Sequence, residues 1–447
     1  MINFYKEKKN DYLLYSGFLG FIFFWDLKIE FIQGRFLILL CFIPLIKQII
    51  EDHKLKNNHK IKIFLFFSLF FFIHLVFNFL YENKSINIYN IVSFAAFLYI
   101  LAISIFININ SSNFIFNLNK IFLIFFILSC LIGVLLKIPD APHFCGGIPD
   151  MFSFFEHKNY DPKRIGSPYK VSFSEFIFQE NSHLAMVAPG VICYGFYKIF
   201  RNKNEYIFKL LTLIFFIICF IKSSLTLILG LISSLLLINI FNFKKISIKV
   251  KSTFILVIII FTISFIYSDE CKNRLIKFSP NSKTTNTIEN QMTDAEDFNK
   301  SVNQSKVKNL LSKLDSNNLS SSIYSYHLIL TLKSINDRPL GWGINRYEEA
   351  VNFYKNSFSS EYIHLNKYNS KDGTNNVFKI FVEFGYFGLV FYFYLFKYII
   401  SDKIRISHKL FFIPILVTQL IRGAGYFNGG FILIFFIVLF QLIKLKK

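Results

Sequence analysis

The sequence predicts an all-α polytopic membrane protein, with about 12 transmembrane helices and a large extramembrane loop between the ninth and tenth. Three observations predict it. Hydrophobic residues fill 53% of 447 positions and Phe alone occupies 60, more apolar side chain than a soluble core can enclose. The apolar residues fall in runs of roughly 20 residues, the length that crosses a ~30 Å hydrocarbon layer as helix. The basic residues collect in alternate connections between those runs.

The runs lie at 12–27, 32–47, 62–81, 88–108, 120–138, 176–197, 207–221, 224–243, 253–268, 376–396, 408–421 and 428–444. The first two are short and read as a tilted hairpin. The N-terminus, the connections near 47–62, 109–120, 198–209, 244–251 and 397–409, and the tail 444–447 hold 24 Lys and Arg against 6 Asp and Glu. Segment 269–375 holds 14 basic and 12 acidic residues. The positive-inside rule then puts both termini in the cytoplasm and 269–375 outside. The organisation is helices one to five over 1–138, an outside loop over 139–175, helices six to nine over 176–268, the large loop over 269–375, and helices ten to twelve over 376–447.

This distribution makes the net charge of +21 mainly topological and argues against nucleic-acid binding. No small-residue cleavage site follows the first apolar run, so no cleavable signal peptide is expected. Cys41, Cys130, Cys193 and Cys219 fall in spans as packing residues. Cys145 and Cys271 fall in outside loops, where an oxidising compartment would let them pair.

Along the chain, His74 and Asn78 in the third run read as partners in helix–helix hydrogen bonds. Loop 139–175 is rich in Pro and Gly and carries Lys163, Arg164 and Lys170 as a cationic face. Glu180 and His183, three residues apart, share a helix face at the start of the sixth run. They either face a cavity, or Glu180 complements a helix N-terminus. Ser223 is placed to cap the eighth run. Residues 279–319, polar and without apolar periodicity, read as a mobile insertion. From 320 to 335, Tyr324, Leu328, Leu332 and Ile335 recur at helical spacing and predict an amphipathic helix on the membrane surface. In the turn from Arg422 to Gly430, Arg422 is a headgroup anchor or an anion ligand.

Four stretches stand together in order: Glu180-Asn181-Ser182-His183-Leu184-Ala185; Ser223-Ser224-Leu225-Thr226; Asp337-Arg338-Pro339-Leu340-Gly341-Trp342-Gly343 with Tyr347; and Asn375-Asn376-Val377-Phe378 leading to Glu383-Phe384-Gly385-Tyr386-Phe387-Gly388. With the helix layout, they resemble the O-antigen ligase and polymerase superfamily over roughly 170 to 445. That resemblance implies a membrane glycosyltransferase fold of the GT-C-like type, placed in the bacterial inner membrane with its large loop in the periplasm. It implies metal-independent, inverting transfer from a polyprenyl-pyrophosphate-linked glycan, with no cofactor. Its expected partners are that donor, a glycan acceptor and the bilayer, with a chain-length regulator and a flippase as further associates.

Where the family's last motif usually carries His-Asn, this chain has Asn375-Asn376, with His364 eleven residues earlier. The Arg common in the family's loop helix is replaced by His327. The missing His favours a polymerase over a ligase that attaches glycan to lipid A-core. A twelve-span transporter or flippase is a third reading, weakened because the two halves of the chain are unlike.

Such a transfer needs cations for the departing pyrophosphate and a base for the acceptor hydroxyl. Arg164, Arg274, Arg338 and Arg422 are the candidate phosphate ligands, with Asn375, Asn376 and Tyr426 beside them. Glu180, His183, His364 and Glu383 are the candidate bases. Glu383 would alternatively pair with Lys379, and Arg346 with Glu349. Trp342 and Tyr347 are placed to stack on sugar rings. No Asp-x-Asp pair occurs, which weakens a metal-dependent reading.

Overall fold

The computed structural model describes residues 2–25, 28–29, 32–54, 58–82, 88–107, 112–135, 181–201, 205–221, 224–242, 246–267, 319–355 and 364–444. These are helical except for connections and a two-residue hairpin, β1 (Lys28–Ile29) against β2 (Ile32–Gln33). Helix lies at each of the twelve apolar runs. The order is α1 (Ile2–Ile22), a 3-10 helix (Gly34–Cys41) continuing into α2 (Phe42–Lys54), α3 (Asn58–Glu82), α4 (Ile88–Phe106) and α5 (Ser112–Leu135). Then follow α6 (Asn181–Arg201), α7 (Tyr206–Ile221), α8 (Leu225–Asn242) and α9 (Ile248–Tyr267). After the large loop come α10 (Leu319–Asp337), α11 (Tyr347–Tyr354), a 3-10 turn (His364–Lys367), α12 (Asn376–Phe384), a second 3-10 turn (Gly385–Phe387), α13 (Gly388–Ile400), α14 (Ile406–Ile421) and α15 (Phe431–Lys444).

Among the described residues, length and composition suffice for membrane crossing in four segments: His59–Val76, Asn113–Leu131, His183–Arg201 and Asn376–Ile400. Six further apolar helices are shorter. The Asn376–Ile400 segment is not one rod. It breaks at Gly385, whose φ of +55° a residue with a Cβ rarely adopts. The break leaves α13 with 13 residues, about 20 Å of helix.

The main core is one continuous apolar cluster that includes α4, α6, α14 and α15. At its centre lies α14, packed on α6 and α8 and buried from His408 to Gln419. Pro414 sits inside α14, and the Thr418 hydroxyl donates to the Pro414 carbonyl. The wholly buried Lys409 donates to the Ile399 carbonyl at 2.6 Å, a cation closing the C-terminal end of α13. Ser224 accepts the Leu227 N–H at 3.3 Å and so caps α8, one residue beyond the expected Ser223. Cys41, Cys130, Cys193 and Cys219 are buried in the core, as expected of packing residues. Cys145, Cys271 and the 279–318 insertion lie outside the described residues.

A second, smaller core sits over one end of the first. Ile323, Tyr326, Ile329 and Leu330 of α10 meet Trp342, Tyr347, Ala350, Val351, Tyr354, Leu365, Phe378 and Val382. The stripe of α10 expected at the membrane surface faces outward: Tyr324, Leu328 and Leu332 are exposed, while the opposite face packs into the cap.

Two glycine turns join cap to membrane core. Gly341 (φ +83°) and Gly385 lie backbone to backbone. Trp342 N–H donates to the Val382 carbonyl, Gly343 N–H to Glu383 and Tyr386 N–H to Pro339, at 2.9, 2.9 and 2.8 Å. His74 of α3 reaches the same turn, its Nε2–H donating to the Leu340 carbonyl at 3.1 Å. It was expected to bond another helix; it bonds a loop backbone instead. A Cβ on Gly341 would lie 2.3 Å from the Glu383 carbonyl oxygen, and one on Gly385 would lie 2.0 Å from that of Pro339. Either Gly→Ala change is predicted to cost on the order of 2–5 kcal/mol through clash and backbone strain. A lower thermal unfolding midpoint in detergent and faster proteolysis of the cap would show it; unchanged values would refute the interlock.

Candidate active site

The site is built on α12, whose faces serve different surroundings. Phe378 and Val382 enter the cap core, while Ile380 and Phe384 enter the main core. Lys379 and Glu383, four residues apart, lie at the seam between them and are both buried, at 3% and 0% exposure. Lys379 Nζ is 3.2 Å from a Glu383 carboxylate oxygen, the pairing foreseen as the alternative to a catalytic Glu383. Glu383 also accepts the backbone N–H groups of Asn345 at 2.7 Å and Tyr347 at 3.3 Å. Both carboxylate oxygens are therefore engaged, and Glu383 fixes the turn that starts α11. Lys379 also donates to the Lys371 carbonyl, and its ammonium lies 5.8 Å from the Tyr347 ring centre and 5.3 Å from that of Tyr426.

Asn375 caps α12, its side-chain oxygen accepting the Phe378 N–H at 2.8 Å. Asn376 is wholly buried beside Gly423. Gly423 N–H donates to the Thr374 carbonyl at 3.2 Å, which ties the Arg422–Gly430 turn to the start of α12. Thr374 is held at φ +66°, a rare conformation for a β-branched residue. Burial and the Glu383 charge hold the Tyr426 hydroxyl well above its usual range.

The loop before α12 brings in a carboxylate that the sequence reading did not single out. Asp372 is half-buried on the turn Asn369–Gly373. Burial raises its carboxyl, against the opposing pull of Lys379, His183, Lys371 and Arg35. These cations come from distant elements: Lys379 from α12, His183 from the first turn of α6, and Arg35 from the 3-10 helix after α1. The His183 ring lies 4.6 Å from that of the buried Trp25. Arg35 stands alone as a charge in an otherwise apolar run, a signal that could have singled it out. Asp372 gave only a turn signal beside Gly373.

The other predicted residues are placed as follows. Arg338 stacks on Trp342, its guanidinium carbon 3.5 Å from the ring centre. Arg422 is half-buried at the C-cap of α14, next to the Gly423 link. Arg346 pairs with Glu349, as its spacing suggested. Trp342 and Tyr347, expected at sugar faces, are 1% and 0% exposed and committed to the cap core. Glu180, Arg164 and Arg274 lie outside the described residues, as does the side chain of His364.

His327, in place of the expected Arg, is a buried node of the cap. Its Nε2–H donates to the Tyr368 carbonyl and its Nδ1 accepts the Tyr347 hydroxyl, each at 2.9 Å. The tautomer follows because a carbonyl can only accept. Burial lowers its pKa to about 4.

Residues 210–393 match the family model described as O-antigen ligase. Over this stretch the chain is similar to the O-antigen ligase/polymerase superfamily. The matched stretch contains α10, both glycine turns, Asp372, Lys379 and Glu383. Trp25, Arg35, His183 and the Arg422–Gly430 turn lie outside it and complete the same cluster. No curated protein and no solved structure matches the chain.

Two predictions follow from this geometry. Removing one member of the buried pair, by Lys379→Ala or Glu383→Ala, leaves the other charge enclosed and should cost about 3–5 kcal/mol. Replacing both together with apolar residues should cost less than the two single changes combined, read from thermal unfolding of the detergent-solubilised protein. The second concerns pH. His327 is neutral in the fold down to about pH 4, whereas in the unfolded chain it protonates near 6.5. Its contribution is therefore intact above pH 6.5 and is lost as pH falls towards 4, by up to about 3 kcal/mol. Cap proteolysis should accelerate over that window, and His327→Gln should flatten the dependence.

Proposed function

We propose that this protein polymerises glycan at the outer face of the bacterial inner membrane, with its termini in the cytoplasm and its large loop in the periplasm. It transfers a growing chain from a polyprenyl-pyrophosphate carrier to a hydroxyl on an acceptor repeat unit. One observation carries the reading. At one half-buried carboxylate of the stretch that matches the O-antigen ligase model, Lys379 of α12 meets His183 of α6 and Arg35 of the N-terminal 3-10 helix, where the cap meets the apolar core. A lipid-linked pyrophosphate sugar needs such a boundary: apolar surface for the carrier, fixed cations for the developing pyrophosphate charge, and a carboxylate near the acceptor.

Arg35 and Lys371 are the cations assigned to the leaving pyrophosphate, with the His183 ring and Arg422 beside them. Lys379 is occupied by Glu383 and acts through its field. These are metal-independent roles, and displacement by an acceptor from the face opposite the pyrophosphate inverts the anomeric centre.

Polymerase is preferred to ligase because Asn375, where ligases of this superfamily usually carry His, uses its side-chain oxygen to cap α12. The ligase reading keeps the donor and changes the acceptor to lipid A-core. A deletion strain separates the two. Single repeat units on lipid A-core without a ladder are the expected result. Long polymer stranded on the carrier would establish the ligase, and an unchanged glycan profile would remove both readings in favour of a transporter.

A further inference from the structure

We infer that Asp372 is the general base that takes the proton from the acceptor hydroxyl. The inference rests on the glycan-transfer reading above. It names a residue that was not among the bases expected from the sequence.

The position of Asp372 is fixed from several sides. Its own N–H donates to the Asn369 carbonyl at 3.1 Å, and that of Gly373 to the same oxygen at 2.8 Å. Asn369, Gly373 and Thr374 all hold positive φ, at 51°, 69° and 66°. Gly373 lies against the buried Tyr347 ring, and Thr374 accepts the Gly423 N–H. The carboxylate itself meets the turn after α14. A Cβ built on Gly425 (φ +89°) would lie 2.5 Å from Asp372 Oδ1 and 3.9 Å from Lys379 Cε. Glycine at 425 is thus what lets the carboxylate and the lysine stem approach the same point. Lys379 faces Asp372 from α12, His183 from α6, Arg35 from the N-terminal 3-10 helix and Lys371 from its own loop. A stiff turn holding a partly accessible carboxylate among cations is the preorganisation that a base beside a leaving anion requires.

Three other described groups near it are committed. Glu383 is enclosed, with both oxygens engaged. His327 uses both ring nitrogens within the cap. Asn375 is an amide and cannot accept a proton at neutral pH. Asp372 is half-buried and retains an open side. Burial moves its carboxyl upward, towards the range in which a carboxylate accepts a proton effectively.

In the step, the acceptor O–H bond breaks and its proton passes to an Asp372 carboxylate oxygen. The acceptor oxygen forms a bond to the anomeric carbon of the donor sugar. The bond from that carbon to the pyrophosphate oxygen breaks, and its electron pair leaves with the polyprenyl pyrophosphate. The negative charge moves from Asp372 to the leaving group, in the field of the Lys379 and Arg35 cations that act on Asp372. The proton on Asp372 then returns to water.

The test uses the full-length protein in detergent, with carrier-linked glycan extracted from the deletion strain as donor and acceptor. Release of polyprenyl pyrophosphate and growth of the ladder are both followed. Asp372→Asn is expected to lower kcat by about 10²- to 10⁴-fold with little change in KM. It should also remove the acidic limb of the kcat–pH profile. Asp372→Glu should recover part of kcat and retain the limb, an outcome that loss of a purely structural carboxylate would not give. Wild-type turnover with Asp372→Asn within about threefold in kcat overturns the assignment and leaves the transfer reading standing. No turnover by the wild type overturns both. If Asp372→Asn does not fold, as judged by its unfolding midpoint, Asp372→Glu decides: full wild-type kcat with an unshifted limb refutes a base at this position.

Discussion

The buried pair between Lys379 and Glu383 is the interaction on which the rest of the structure depends. One carboxylate holds a lysine of its own helix and two backbone N–H groups of a turn 36 to 38 residues earlier. It thereby fixes the start of α11 against α12. The lysine is held in turn between two tyrosine rings, one from each side of the seam. Enclosing two charges is expensive, and a hydrophobic pair could fill the space at least as stably. What an apolar pair could not supply is direction: N–H acceptors for the turn, and a positive field near Asp372.

The cap is attached at a few points, each specific. Gly341 and Gly385 let two backbones touch, and three backbone hydrogen bonds cross there. His327 joins α10 to Tyr347 and to the loop that carries Asp372. The loop's position therefore depends on the same small core that orders α10. A change deep in the cap would be felt at Asp372 without touching it, through Tyr347 and Gly373.

The cluster also crosses the boundary of the family match. The matched stretch supplies the cap, α12 and Asp372, while earlier elements supply Arg35, Trp25 and His183. An isolated 210–393 segment would lack two of the four cations that face Asp372. The first helices are accordingly part of the site's electrostatics as well as its scaffold.

Sequence by itself determined the helical class, the location of the twelve apolar runs, the presence of α10 and the i to i+4 spacing of Lys379 and Glu383. Each is a local property: hydropathy over a window, a period, or a fixed offset along one helix. Tertiary structure alone decided that the tenth run breaks at Gly385, that α10 buries the stripe opposite to Tyr324, Leu328 and Leu332, and that Trp342 and Tyr347 are core rather than sugar platforms. It also decided that Arg35, His183 and Asp372 share one site. Those outcomes depend on which surfaces meet across separations of up to some 340 residues. A lone Arg or Asp carries no mark of its distant partner, and only the packed chain selects it.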